Sequence, residues 1–179
     1  RAGENPLEAV GGVMFTLATR HDLNTLKDVQ HSKIAVCSKN CMEAYHLTFE
    51  MFVDAGLTPP SENKIMFLGL PQDTVVKAVL SQRADVGFIN AGVLERMHIE
   101  KLIDMTRLKI INRQDLTGFP YAVSTHLYPQ WPLIAMNQTE ATDARRLAAA
   151  LLQIEANSAL SNSLGIYGFT IPSSYASID

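Results

Sequence analysis

Little in this chain is present in excess, and each shortage closes off a class of protein. Cysteine is nearly absent: the 2 residues Cys37 and Cys41, in 179, are too few for a disulfide scaffold and lack the further Cys or His spacing of a zinc site. An excess of positive charge is also missing. Lys and Arg number 15 against 18 Asp and Glu, for a formal charge of -3, which gives no electrostatic hold on nucleic acid or an anionic membrane surface. No apolar run approaches the roughly 18 residues of a membrane-spanning helix. The chain opens at Arg1 with neither a methionine nor the apolar stretch of a signal peptide, so it reads as a segment of a longer protein, with any membrane attachment through flanking segments. Internal repeats and low-complexity stretches are missing as well. What remains, 47% hydrophobic and 18% charged residues, is the composition of a globular chain, long enough for one domain or one domain with a small second lobe.

The strongest local signal is the stretch Lys33 to Gly56. Lys33-Ile34-Ala35-Val36 is a short apolar, β-branched run that reads as a buried strand. Asn40 stands three residues before Glu43, the pattern of a helix cap with a reciprocal acidic partner. Met42, Tyr45, Phe49 and Phe52 then recur at helical spacing, and Gly56 stops the helix. A helix that starts just beyond a strand presents unpaired N–H groups and a partial positive charge, which suits a small anion.

The same alternation extends along the chain. Gly12–Thr19 reads as a strand, with Asp22 capping a short helical segment over Leu23–Val29. Ile65–Leu68 is the next strand, and Asp73 caps a helix with the stripe Val75, Val76, Val79 and Leu80. Ala84–Asn90 is a strand, Val93–Lys101 a helix and Leu108–Ile111 a further strand. Alternation of this kind argues for an α/β fold with a parallel-rich sheet and flanking helices. Ligands of such sheets sit beyond the carboxyl ends of the strands, where Cys37–Cys41, Leu70–Asp73 and Asn90–Gly92 converge. After Arg113 the pattern changes. Tyr121–Thr125 and Leu133–Met136 read as strands around the Pro129–Pro132 turn, and Ala141–Ala156 as a helix capped by Asn137 and Glu140.

The residues that could carry chemistry each have a plainer role beside them. Cys37 and Cys41 are open to three readings: a reactive pair, with Cys41 the more acidic thiol at a helix start; a small disulfide; or two buried thiols acting as small hydrophobes. Glu43 reads as a capping carboxylate rather than a ligand. His21, His31, His46, His98 and His126 are scattered, with His46 facing solvent, and no nucleophile–base pair is visible. Trp131, held between two prolines, reads as filling a core or lobe contact. Neither an enzyme activity nor a cofactor is expected for this segment.

Taken together, Val75–Leu80, Ala84–Gly87, Val93–Met97 and Leu26–Val29 before Lys33 resemble the core of the phosphonate-type periplasmic binding proteins. Phe119-Pro120-Tyr121 with Ser124-Thr125, then Leu127–Pro132, Gly168–Pro172 and Tyr175, resemble the periplasmic sensor domains of tetrathionate-sensor-like histidine kinases. The resemblance implies a type 2 periplasmic-binding-protein fold, two α/β lobes that close on a ligand, here lacking the N-terminal part of lobe I. It divides the chain into 1–20, a lead-in and hinge strand; 21–113, lobe II; and 114–179, a second hinge strand and the C-terminal part of lobe I. The implied function is a periplasmic ligand-sensing domain of an inner-membrane histidine kinase; the alternative is the solute-binding component of an ABC transporter for phosphonate-like or other small anions. Where phosphonate binders carry a Ser-Thr-Ser-Gly run, this chain has Cys41-Met42-Glu43-Ala44; a family histidine falls at Gln72 and a family acid at Asn90. The expected ligand residues are therefore Asn40, Cys41, Met42, Gln72 and Asn90, and the expected ligand is a small anion, sulfur-containing because the hydroxyl grip has become Cys41-Met42. A lobe missing part of its sheet would leave Leu133, Ile134 and Phe169 uncovered and favour a homodimer.

Overall fold

Strand and helix alternate as the periodicity requires. The chain runs β1 (Ala9–Val10), β2 (Gly12–Leu17), α1 (Leu26–Val29), β3 (Ile34–Val36), α2 (Leu47–Asp54), β4 (Ile65–Phe67), α3 (Asp73–Leu80), β5 (Val86–Asn90), α4 (Val93–Ile99), β6 (Leu108–Ile111), β7 (Tyr128–Pro129), α5 (Ala141–Leu152) and α6 (Ala159–Leu164). This computed structural model describes residues 9–155, 158–164, 166 and 168–171. It forms two compact units, one through Tyr128 and one from Pro129 onward.

The first unit is built on a five-stranded sheet of order β4-β3-β5-β2-β6. β3 pairs in parallel with β4 and β5, while β2 is antiparallel to both β5 and β6. Four strands thus share one direction and β2 alone opposes them. Gly12–Leu17, expected as part of a hinge segment, lies within this sheet. Its side chains divide by the two-residue period of a strand: Val13 and Phe15 enter one buried cluster with Val75, Val76, Val79 and Leu94, and Met14 enters another with Val29, Phe52 and Phe88. The sheet is covered on both faces, which explains why β3 and β5 are apolar throughout. Gly87 faces Phe15 across the β2–β5 pairing, and a Cβ there would come within 2.3 Å of the Phe15 ring. The glycine is the space that the phenylalanine fills.

Helix ends depart from the sequence reading in four places. Thr25, not Asp22, caps α1, in a reciprocal box with Asp28. The helix after β3 opens with a π turn, Met42–His46, continuing into α2; its cap position is Cys41, with no side-chain cap bond. Asn40 instead donates its N–H to Ser38 Oγ at 3.2 Å, so the Asn40–Glu43 box is not formed. α3 starts at Asp73 from an uncapped Gln72, the Asp73 carboxylate being taken by Arg96. α5 starts from Glu140 without a side-chain cap and ends at Leu152. A competing partner decided each case where one is visible, since a side chain caps only when nothing nearer claims it. The stop at Gly56 holds: its φ is +68°, and Leu57 N–H returns to Phe52 C=O at 2.8 Å.

Tyr121–Thr125 and Leu133–Met136 are not strands. The first docks through hydroxyls, Ser124 and Thr125 being wholly buried; the second has no ladder to join among the described residues. α5 buries none of its residues, and Leu133, Ile134 and Phe169 are exposed at 64%, 70% and 39%, the uncovered surface the sequence led us to expect. Trp131, expected in a core or lobe contact, is 68% exposed. Residues 1–8, Ala156, Tyr167, Pro172 and Tyr175, all used in the sequence reading, lie outside the described residues.

Candidate ligand-binding rim

The carboxyl ends of β3, β4 and β5 form one edge because those three strands run in register, Val36 beside both Phe67 and Phe88. The loops that leave this edge are tied to one another. Leu68 N–H donates to Val36 C=O at 2.9 Å and Gly69 N–H to Cys37 C=O at 2.8 Å, linking the first loop to the second. The third joins through Gln72, whose Nε2 donates to Asn90 Oδ1 and whose Oε1 accepts from Asn90 N–H, both at 2.8 Å. Ala91 N–H then donates to Gly11 C=O at 2.9 Å, fixing the edge to the start of β2. Backbone polar groups leaving a sheet need new partners; here the loops supply them to each other.

Gln72 and Asn90, chosen from separate stretches of sequence, are thus brought into direct contact. Asn40 is on the same edge, exposed, in the loop after β3; Cys41 and Met42 are half-buried at the start of the following helix. Glu43 and Ala44 point inward, with exposures of 7% and 0%. Of the positions that replace the family's hydroxyls, only Cys41 and Met42 therefore retain partial exposure. Cys37 and Cys41 are joined as a disulfide, which resolves the three readings of these residues. Cys37 is 1% exposed, and Ser38 Oγ lies 3.4 Å from Cys41 Sγ.

The donors of this edge are neutral. Lys39, the cation of the first loop, is held by Glu62 at 2.5 Å and lies 5.9 Å from the centre of the Phe67 ring. Asn90 uses its side-chain carbonyl on Gln72, which leaves its Nδ2 hydrogens as donors. An edge so equipped can hold a small anion by hydrogen bonds without an opposing charge.

Several neighbours of the edge were missed. Ser124 Oγ donates to Ile111 C=O at 2.7 Å and accepts from Met14 N–H at 2.9 Å, and Thr125 Oγ1 accepts from Gly12 N–H at 3.0 Å. These hydroxyls lock residues 124–125 across β2 and β6. Tyr121 covers Gly92, whose Cβ would lie 3.5 Å from the ring, and Glu95 Oε1 accepts from Ala122 N–H at 2.7 Å. Tyr128 donates to Glu50 Oε2 at 2.5 Å, and burial, then this bond, push its phenol pKa upward. The Ser-Thr pair was read as part of a strand and of the family resemblance, and neither reading pointed to these hydroxyls as anchors of the backbone. A concavity of about 370 Å³ around Leu80, His98, Ile103 and Arg107 borders the start of β6, at the opposite end of the sheet from Asn90.

Sheet and helices together have the α/β fold of the type 2 periplasmic binding proteins. A Xanthomonas citri protein bound to ATP superposes with a TM-score of 0.64 at 13% identity, over 82% of this chain and 52% of that one. The binding-protein component of an ABC phosphonate transporter from Pseudomonas aeruginosa gives 0.61 at 15% identity, over 89% and 50%. A chloride-bound form of the Xanthomonas citri protein gives 0.63 at 12% identity, over 95% and 61%. The chain thus spans 50% to 61% of the length of these proteins. A search of curated proteins gave no significant match. The family profile described as the phosphonate ABC-transporter periplasmic substrate-binding protein matches residues 2–175. The chain belongs to this family, a periplasmic family of substrate-binding rather than catalytic proteins.

Proposed function

We propose that this chain is the ligand-binding part of the solute-binding component of an uptake transporter, taking a small oxyanion of the phosphonate kind at the edge formed by Asn40, Cys41, Met42, Gln72 and Asn90. The observation that carries this reading is the reciprocal Gln72–Asn90 pair, which joins two loops of the edge and leaves the Asn90 Nδ2 hydrogens as donors. Disulfide-bonded Cys41 bears no charge and does not repel an anion. In this reading Gly12–Arg20 and Leu116–Thr125 act as hinge segments, residues 21–113 as one lobe and 126–179 as part of the other. Ligand would stabilise the closed state by its greater affinity for it.

A second reading, the sensor domain of a histidine kinase binding a sulfur oxyanion, draws on the likeness of Leu127–Pro132 and Gly168–Pro172 to such sensors. The full-length gene product separates the two: a membrane span and kinase core after Asp179 favours the sensor. The ligand class is tested by calorimetry on the full-length protein with methylphosphonate, phosphate and thiosulfate. We expect Asn90→Ala to weaken binding by roughly tenfold or more, the effect of one lost hydrogen bond to a charged group. Affinity unchanged in Asn90→Ala and Gln72→Ala would overturn the site.

A further inference from the structure

The Cys37–Cys41 disulfide spans the end of β3 and the start of the helix that borders the edge. Its two sulfurs have different surroundings. Cys37 sits in the buried cluster with Met14, Val36 and Phe88, while Cys41 is half-buried at the helix cap position. Cys41 has the extended backbone of a capping residue, φ -77° and ψ 104°, and its C=O already accepts from Tyr45 N–H at 2.9 Å. No side chain caps this helix; the one placed to do so is tied to Cys37.

We propose that this disulfide is a redox switch of the edge: reduced, Cys41 caps its own helix and releases the first loop. A dithiol reductant supplies two electrons and two protons, the S–S bond becomes two thiols, and the reductant leaves as its disulfide. Cys37 stays a neutral thiol, a state its apolar surroundings favour. Cys41, freed at a helix start, gives its proton to water; the helix N–H groups and partial positive charge favour its thiolate. The charged groups near it are Lys39, already paired with Glu62, the buried Glu43, and His46 on the outer face. A thiolate here takes the donors that the bound anion uses. On the ligand reading above, on which this consequence rests, the oxidised protein binds and the reduced protein is occupied by its own sulfur.

The switch is read without ligand first. In the reduced full-length protein, the pH profile of Cys41 alkylation should show a midpoint below the ordinary thiol value of about 8.5, and amide exchange should rise in residues 38–41. Cys37→Ala should show the same profile without reductant. An ordinary midpoint in both, or unchanged exchange, would overturn the switch. Methylphosphonate binding is then compared in the two redox states. We expect a weakening of about tenfold on reduction, an ordinary size for coupled sites, and the same weakened affinity without reductant in Cys37→Ala. Equal affinity in both states rejects the coupling. Absence of binding in either state counts against the ligand reading, while the alkylation profile still decides the switch.

Discussion

α3 and α5 are both amphipathic helices, but only one has a sheet beneath it. The 8 residues of α3 bury Val75, Val76, Ala78 and Val79, while the 12 residues of α5 bury none, leaving Leu147 and Leu152 about half exposed at 53% and 50%. Propensity explains why both are helices. Only the first unit supplies strands whose apolar faces give a helix something to cover. An apolar stripe specifies a surface that can be buried, and a partner element decides whether it is. The amphipathic stripe of α5 is thus, among the described residues, left uncovered.

That contrast is most sharply broken or upheld by deleting equivalent side chains. Phe15→Ala should cost about 3–5 kcal/mol, the range for emptying a buried aromatic site, whereas Leu147→Ala should stay within about 0.5 kcal/mol. Denaturant unfolding of both variants checks this; a large loss at Leu147 would mean that α5 has a covered face after all.

A smaller effect is expected at the loops of the first unit. Gln72→Ala removes both bonds to Asn90 and leaves its N–H without that acceptor, at a cost of about 1–3 kcal/mol. Exchange of the Asn90 amide should accelerate with it. Full protection in the variant would show that the loops are held by something other than this pair. Smaller again is Thr25→Ala, which deletes the cap of a short helix and should cost about 1 kcal/mol, read as a shift in the same unfolding midpoint.

The smallest effect is one of pH. Burial pushes the Asp85 carboxyl up, but the Lys33 N–H at 2.9 Å and Arg20 at 2.6 Å outweigh it, so its pKa lies below the ordinary value. A depressed folded pKa gives stability that is present above the unfolded value, about 3.9, and is lost as pH falls through the folded one. Asp85→Asn should therefore flatten the acid limb of the stability profile below about pH 4 while leaving its shape near neutrality unchanged. An acid limb as steep as in the parent protein would remove Asp85 from the account.

The legible parts of the fold were those set by local pattern. The strands at Ile34–Val36 and Val86–Asn90 stood out because both of their faces are buried, and Gly56 marked a helix end because the turn there needs positive φ. Gln72 and Asn90 were found through likeness to a family, and nothing local predicts that they bond to each other. Asn40 was misread as a cap since Ser38, two residues away, offered its N–H a nearer acceptor. Ser124 and Thr125 were taken for strand residues because a hydroxyl that serves a distant backbone looks like any other β-propensity residue.

The sequence by itself determined where helices and strands form between Gly12 and Ile111, that the central strands are apolar, and which loops follow them, since each depends on spacing within a few residues. Tertiary structure decided that β2 runs against its neighbours between β5 and β6 and that Gln72 meets Asn90. Those outcomes depend on the direction in which one strand passes another and on which partner reaches a polar group first. Such distances are set by the packing of elements far apart in the chain.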